Sequence, residues 1–117
     1  MKHFLIVLSF ALLGFFACTG GEDKVKIPSD IIIPDSMVGI FVDFQLAEAA
    51  IQLKQQQRKD PSMYTGYYYS MILKKHKINR RSFDKNLLFY SNHPKLLREI
   101  YDKVLNELST KQSRTLQ

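Results

Sequence analysis

The chain has 117 residues, with 17 lysines and arginines against 11 aspartates and glutamates, for a formal net charge of +6. That length is enough for one domain with one hydrophobic core. A single cysteine excludes an internal disulfide framework.

The first predicted element is an export signal. Lys2 is followed by an apolar run from Phe4 to Ala17, interrupted only by Ser9, and then by Cys18. A secretory signal needs a basic start, an apolar stretch of about 7–15 residues and a small residue at the cut. A spanning helix would need about 20 apolar residues, and the polar run Thr19 to Asp23 prevents extension. The segment Phe15-Phe16-Ala17-Cys18 resembles a bacterial lipobox, with Phe15 where leucine is usual. That resemblance implies that residues 1–17 are removed and that Cys18 opens the mature chain carrying a diacylglycerol thioether. Two acyl chains, at about 0.8 kcal/mol per buried CH₂, anchor a protein stably. Two other readings stand beside it: an ordinary cleaved signal that leaves Cys18 a free thiol, or a short uncleaved anchor. The expected location is the bacterial cell envelope, on the periplasmic or surface face of the outer membrane. An exported chain does not meet the genome, so the positive charge predicts no nucleic-acid partner. Anionic lipid head groups or an acidic protein are the better matches.

Residues 18–34 read as the lipidated cysteine, a tether and an extended arm. Thr19 to Ile27 is polar and glycine-containing, and nine extended residues reach about 30 Å. The pair Glu22-Asp23 resembles the acidic sorting signals of surface-exported lipoproteins in Bacteroidota; an acidic tether is also simply soluble. Ile31-Ile32-Ile33, between Pro28 and Pro34, is too short for a helix and is expected to lie extended against the core.

From residue 35 to 117 the period is helical, and the fold class predicted is all-α, a small bundle of about four helices. The first helix, about Ser36 to Gln57, carries two apolar stripes. Met37, Ile40, Phe41, Phe44, Ala47 and Ile51 form one; Val38, Val42, Leu46, Ala49 and Leu53 form the other. A helix apolar nearly all round is buried. The second stripe therefore belongs either to the core or to a partner face. Asp60 and Pro61 suit the start of a second helix running to Lys75, with Tyr64, Tyr67, Tyr68, Met71 and Ile72 on one face. Asn79 is expected to cap a shorter third helix with Phe83, Leu87 and Tyr90 on its inner stripe. Asn92-His93-Pro94 breaks the chain. The fourth helix repeats Leu97, Ile100, Tyr101, Val104, Leu105 and Leu108 at helical spacing, and Lys111 to Gln117 is expected to fray.

Several of these residues, taken in order, resemble one family. They are Ile33-Pro34-Asp35-Ser36-Met37, Asp43, Leu46-Ala47-Glu48-Ala49, Tyr68 to His76, Phe83-Asp84, Phe89-Tyr90-Ser91, His93-Pro94 and Ile100 to Val104. Together they are similar to the small Bacteroidota lipoproteins grouped as domain of unknown function 4296. The resemblance implies an all-helical envelope lipoprotein and brings no catalytic residues with it.

The residues themselves predict no catalytic site, no cofactor and no metal. His76 and His93 lack a second ligand at metal spacing; His76 reads as part of a solvated turn and His93 as a helix start. Asp43 and Glu48 are five apart and cannot face each other from one helix. Asp43 is either a polar seam between the stripes or half-buried against a basic residue. Tyr67-Tyr68-Tyr69 could stack a ligand, but at helical spacing two of the three face the core. The basic turn holds Lys74, Lys75, Lys77, Arg80 and Arg81 with no acid among them. Cations at the end of one helix and free N–H groups at the start of the next suit a phosphate or carboxylate; a solvated turn is the plainer reading. The function expected is a lipid-anchored, non-enzymatic binding or accessory protein, attached to the membrane through Cys18 and capturing a protein partner. The alternative is a ligand-carrying or enzymatic domain with a pocket between the helices.

Overall fold

The computed structural model describes residues 24–116, so the signal segment, Cys18 and the Glu22-Asp23 pair lie outside the described residues. Four helices follow one another: α1 (Pro34–Gln56), α2 (Ser62–Lys75), α3 (Arg80–Ser91) and α4 (Pro94–Thr115). No strand occurs among the described residues, and the all-α bundle expected from the helical periods is the fold observed.

The local chemistry explains the boundaries. α1 begins two residues earlier than its apolar period suggests because Pro34 occupies its first turn, where the absent N–H costs nothing. The Asp60 carboxylate accepts from the Ser62 amide at 2.9 Å and so caps the start of α2; that bond holds its carboxyl below the usual range. The Asn79 side chain accepts from the Ser82 amide at 2.8 Å and caps α3 as expected. α1 and α2 both end in a Schellman turn. After α2, Lys77 takes a left-handed φ of 55°. Its amide donates to Lys74 and the Ile78 amide donates back to Leu73 at 3.0 Å, leaving Ile78 and Leu73 together against the core. Arg58 repeats this after α1 with φ 58°. α4 continues to Thr115 where fraying was expected. Thr110, Ser113 and Thr115 each return a hydroxyl bond to the carbonyl four residues back, and the last turn carries Arg114.

The core gathers around the first half of α1. Met37, Val38, Ile40, Phe41 and Val42 are all buried, together with Ile31, Phe83, Tyr90, Ile100 and Val104. α4 packs along this half of α1: Phe41 stacks on Tyr101 at 5.4 Å, and Lys103 donates to Asp35 at 2.6 Å. The arm before α1 is held by α3. The Ile32 amide donates to Asn86 Oδ1 at 2.6 Å, and the Tyr90 hydroxyl donates to the Ile32 carbonyl at 2.5 Å. Asn86 Nδ2 donates onward to the Ser82 carbonyl, so this fully buried amide is satisfied at both ends. Burial pushes the Tyr90 phenol up. Lys85 pairs with Asp30 at the surface. Ile31 is buried and Ile32 packs on the core, whereas Ile33, expected beside them, is exposed, and the segment opens with a turn where the Ile31 amide donates to the Pro28 carbonyl.

Three inner stripes differ from their sequence period. On α3 the buried trio is Phe83, Asn86 and Tyr90, while Leu87 is exposed. Asn86 displaces Leu87 because the arm offers a backbone amide that only a polar side chain can satisfy. On α4 only Ile100 and Val104 are fully buried; Leu97 and Leu108 pack on the core in part, Tyr101 is exposed outside its stack on Phe41, and Leu105 is exposed. On α2 only Ile72 is buried, and Tyr67 and Met71 are exposed. Tyr69, outside the expected stripe, packs against Phe44 at 4.9 Å and Phe83 at 5.9 Å instead. Each helix meets a neighbour across a narrower arc than its apolar residues span.

Candidate functional site

α1 and α2 form an antiparallel hairpin. Lys54 lies over the Tyr64 ring near its tip, and Asp43 meets Lys75 and His76 at its base. From Gln45 onward α1 buries only Ala47 and Ile51, which line a small cavity with Tyr68, Tyr69 and Ile72 of α2. The second stripe of α1 is therefore divided. Val38 and Val42, for which core and partner face both stood open, are core, each 2 % exposed. Leu46, Ala49 and Leu53 are exposed, with Leu46 at 45 % and Leu53 at 54 %. The physical reason is position along the helix: α4, α3 and the arm surround the first half and leave the second to α2.

At the base of the hairpin Asp43 is half-buried against basic residues, the second of its two readings, and the polar-seam reading is set aside. Lys75 Nζ donates to Oδ1 at 3.0 Å, and His76 Nε2 lies 2.6 Å from Oδ2. Partial burial is the largest single effect on Asp43 and raises its carboxyl, but the bonds from Lys75 and His76, with their charges, bring it below the usual range. His76 is consequently not in a solvated turn: its side chain is 21 % exposed, and its ring sits over Gly39. The contact spans 33 residues, which no local pattern reveals. His93 begins α4 as expected; its Nδ1 lies 2.7 Å from the Phe89 carbonyl, so that nitrogen carries the proton. Among the described residues no three His, Cys, Asp or Glu side chains converge to hold a metal ion. Asp43, Leu46, Ala50, Tyr68, Met71 and Lys75 line an open groove of about 280 Å³ on the uncovered side of the hairpin.

The basic turn does not act as one cluster. Lys75 is drawn to Asp43. Arg80 is gripped by Asp84, both of whose oxygens accept from Nε at 3.0 Å, and its guanidinium lies 4.7 Å from the Tyr69 ring centre. That pairing holds Arg80 up in its charged form. Lys74, Lys77 and Arg81 have no ion-pair partner among the described residues. A second groove of about 590 Å³ runs along the other side of α2 to the start of α3, with Lys74 and Arg80 on its rim. Its only signs in residue order are Tyr69, one of three consecutive tyrosines, and Gly66 in mid-helix.

Fold and surfaces together describe a small helical bundle with a pinned N-terminal arm, a projecting hairpin and a groove on either side of α2. The chain belongs to the family described as Domain of unknown function (DUF4296), whose model matches residues 28–114. The match opens at Pro28, where the arm turns onto the core, and closes at Arg114 in the last turn of α4. No curated protein and no solved structure matches the chain.

Proposed function

We propose that this protein is a lipid-anchored, non-catalytic binding or accessory protein of the bacterial cell envelope. In this reading it is tied to the outer membrane through Cys18 and captures a protein partner on the open side of the α1–α2 hairpin. The apolar run from Phe4 to Ala17 is compatible with a signal sequence or with membrane association. α1 is also long and apolar enough to cross a membrane, but its first half is the centre of the core.

The observation that carries the proposal is the hairpin face. Leu46, Leu53, Tyr67 and Met71 are each between 45 % and 62 % exposed. Neighbouring Gln45, Ala49, Gln52 and Gln56 add no charge. A contiguous apolar patch left by a folded domain marks an interaction site. The test is the double variant Leu46→Gln/Leu53→Gln in the lipidated protein, with crosslinking in intact cells. The expected result is loss of the crosslinked partner with unchanged helicity and thermal midpoint. Partner capture at the unmodified level would remove the hairpin face from the function. Cys18→Ser, followed by uptake of labelled fatty acid, tests the anchor separately; undiminished uptake would overturn it.

A further inference from the structure

We propose that the groove between α2 and the start of α3 binds an anionic single-chain lipid, with its acyl chain over Tyr69, Leu73 and Ile78 and its acid group at Lys74 and Arg80. The groove shares no residue with the hairpin face, so this proposal and the one above can fail independently.

Shape supports the first half of the assignment. At about 590 Å³ the groove falls in the range of small-molecule sites. Its floor is formed by half-buried apolar side chains that also pack on the core: Tyr69, Leu73 and Ile78. Gly66 extends the floor. Glycine in a helix interior is destabilising relative to alanine, and nothing in the backbone requires it here. Its φ is not positive, and a Cβ added there would meet no atom within 4 Å. What the missing side chain provides is open length along the groove.

Charge supports the second half. Lys74 has no ion-pair partner among the described residues, and no carboxylate lines the groove. Arg80 is fixed over Tyr69 by Asp84, which offsets part of its charge but holds the guanidinium on the rim, at the Tyr69 ring face. Its bonds to Asp84 run through Nε, and the terminal nitrogens have no hydrogen bond to the described residues. Lys74 and Arg80 both line the groove, so an anion bound in it gains two cations, one of them held in place. A peptide suits the groove less well. Every peptide residue brings an N–H and a C=O that need partners, and Tyr69, Leu73 and Ile78 offer an apolar floor. An acyl chain needs only apolar contact.

The experiment uses the full chain reconstituted in phosphatidylcholine vesicles containing photoactivatable palmitate, with the light-dependent adducts located by peptide mapping. Adducts are expected within residues 65–80. Gly66→Leu should lower them several-fold while leaving the fold intact, since the new side chain enters open space and improves helix propensity. Lys74→Gln with Arg80→Gln should lower them as well, and the uncharged methyl ester of the same probe should label the unmodified protein weakly. Adducts that gather on the hairpin face, or that persist undiminished in Gly66→Leu, would overturn the site. Equal labelling by acid and ester would overturn the role of Lys74 and Arg80. Labelling of the groove by an acidic, apolar photoactivatable peptide, with none by the lipid, would overturn the choice of a lipid as occupant.

Discussion

The two halves of α1 differ in their surroundings, and the second is also the more polar, with Gln45, Glu48, Gln52, Lys54, Gln55 and Gln56. Of the six residues from Met37 to Val42, all but Gly39 are buried. From Gln45 to Gln56 only Ala47 and Ile51 are. Both halves carry apolar residues on two stripes. The first half meets α4, the arm, Phe83 of α3 and the end of α2; the second is lined by α2 alone. An apolar helix surface is thus an opportunity for burial, and the number of neighbours decides whether it becomes core or stays exposed.

The sharpest way to break the comparison is to truncate one residue in each region. In a fragment spanning residues 24–117, Ile100→Ala, where Ile100 is fully buried beside the first half of α1, should cost about 2–5 kcal/mol in urea unfolding. Leu53→Ala on the exposed half should change stability by no more than about 0.5 kcal/mol. Equal losses would mean that the hairpin tip is covered in solution.

The arm is the next test, because it closes one side of the packed half. Asn86→Ala removes the acceptor of the Ile32 amide and should cost about 1–3 kcal/mol, the penalty for leaving a buried donor unsatisfied. Hydrogen exchange at the Ile32 amide should rise in step. Protection that survives the substitution would show that the arm is held by its isoleucines alone.

The base of the hairpin joins the two regions and should respond to pH. Asp43 titrates below its ordinary value in the folded protein, so on acidification the unfolded chain takes up its proton first. Its contribution is fully present above the ordinary carboxylate range and is lost as pH falls through the lowered native value. Asp43→Asn should cost about 1 kcal/mol at neutral pH, since Lys75 is largely solvated. The difference from the parent should vanish in strong acid. A constant difference across that range would place the cost in packing and not in the ion pairs.

The smallest effect should have the opposite sign. Lys77 holds a left-handed φ without being glycine, so Lys77→Gly should raise stability by up to about 1 kcal/mol. A loss would mean that the lysine side chain contributes at this turn more than its backbone conformation costs.

By itself the sequence determined what depends on neighbours within a few residues. The helical periods, the caps at Asp60 and Asn79, the break at Asn92-His93-Pro94 and the short arm between two prolines are local chemistry, and they were legible from residue order. Family membership was legible for the same reason, as an ordered set of short signatures. Tertiary structure alone decided which apolar residues became core. Val38 and Val42 went inside and Leu46 and Leu53 stayed outside because α4 covers one half of α1 and not the other. It also joined Asp43 to His76 across 33 residues, set Asn86 in place of Leu87 under the arm, and brought Gly66 and Tyr69 into one groove with Lys74 and Arg80. A helical period fixes the direction in which a side chain points, whereas burial and pairing depend on what stands in that direction, and that is set by the packing of distant segments.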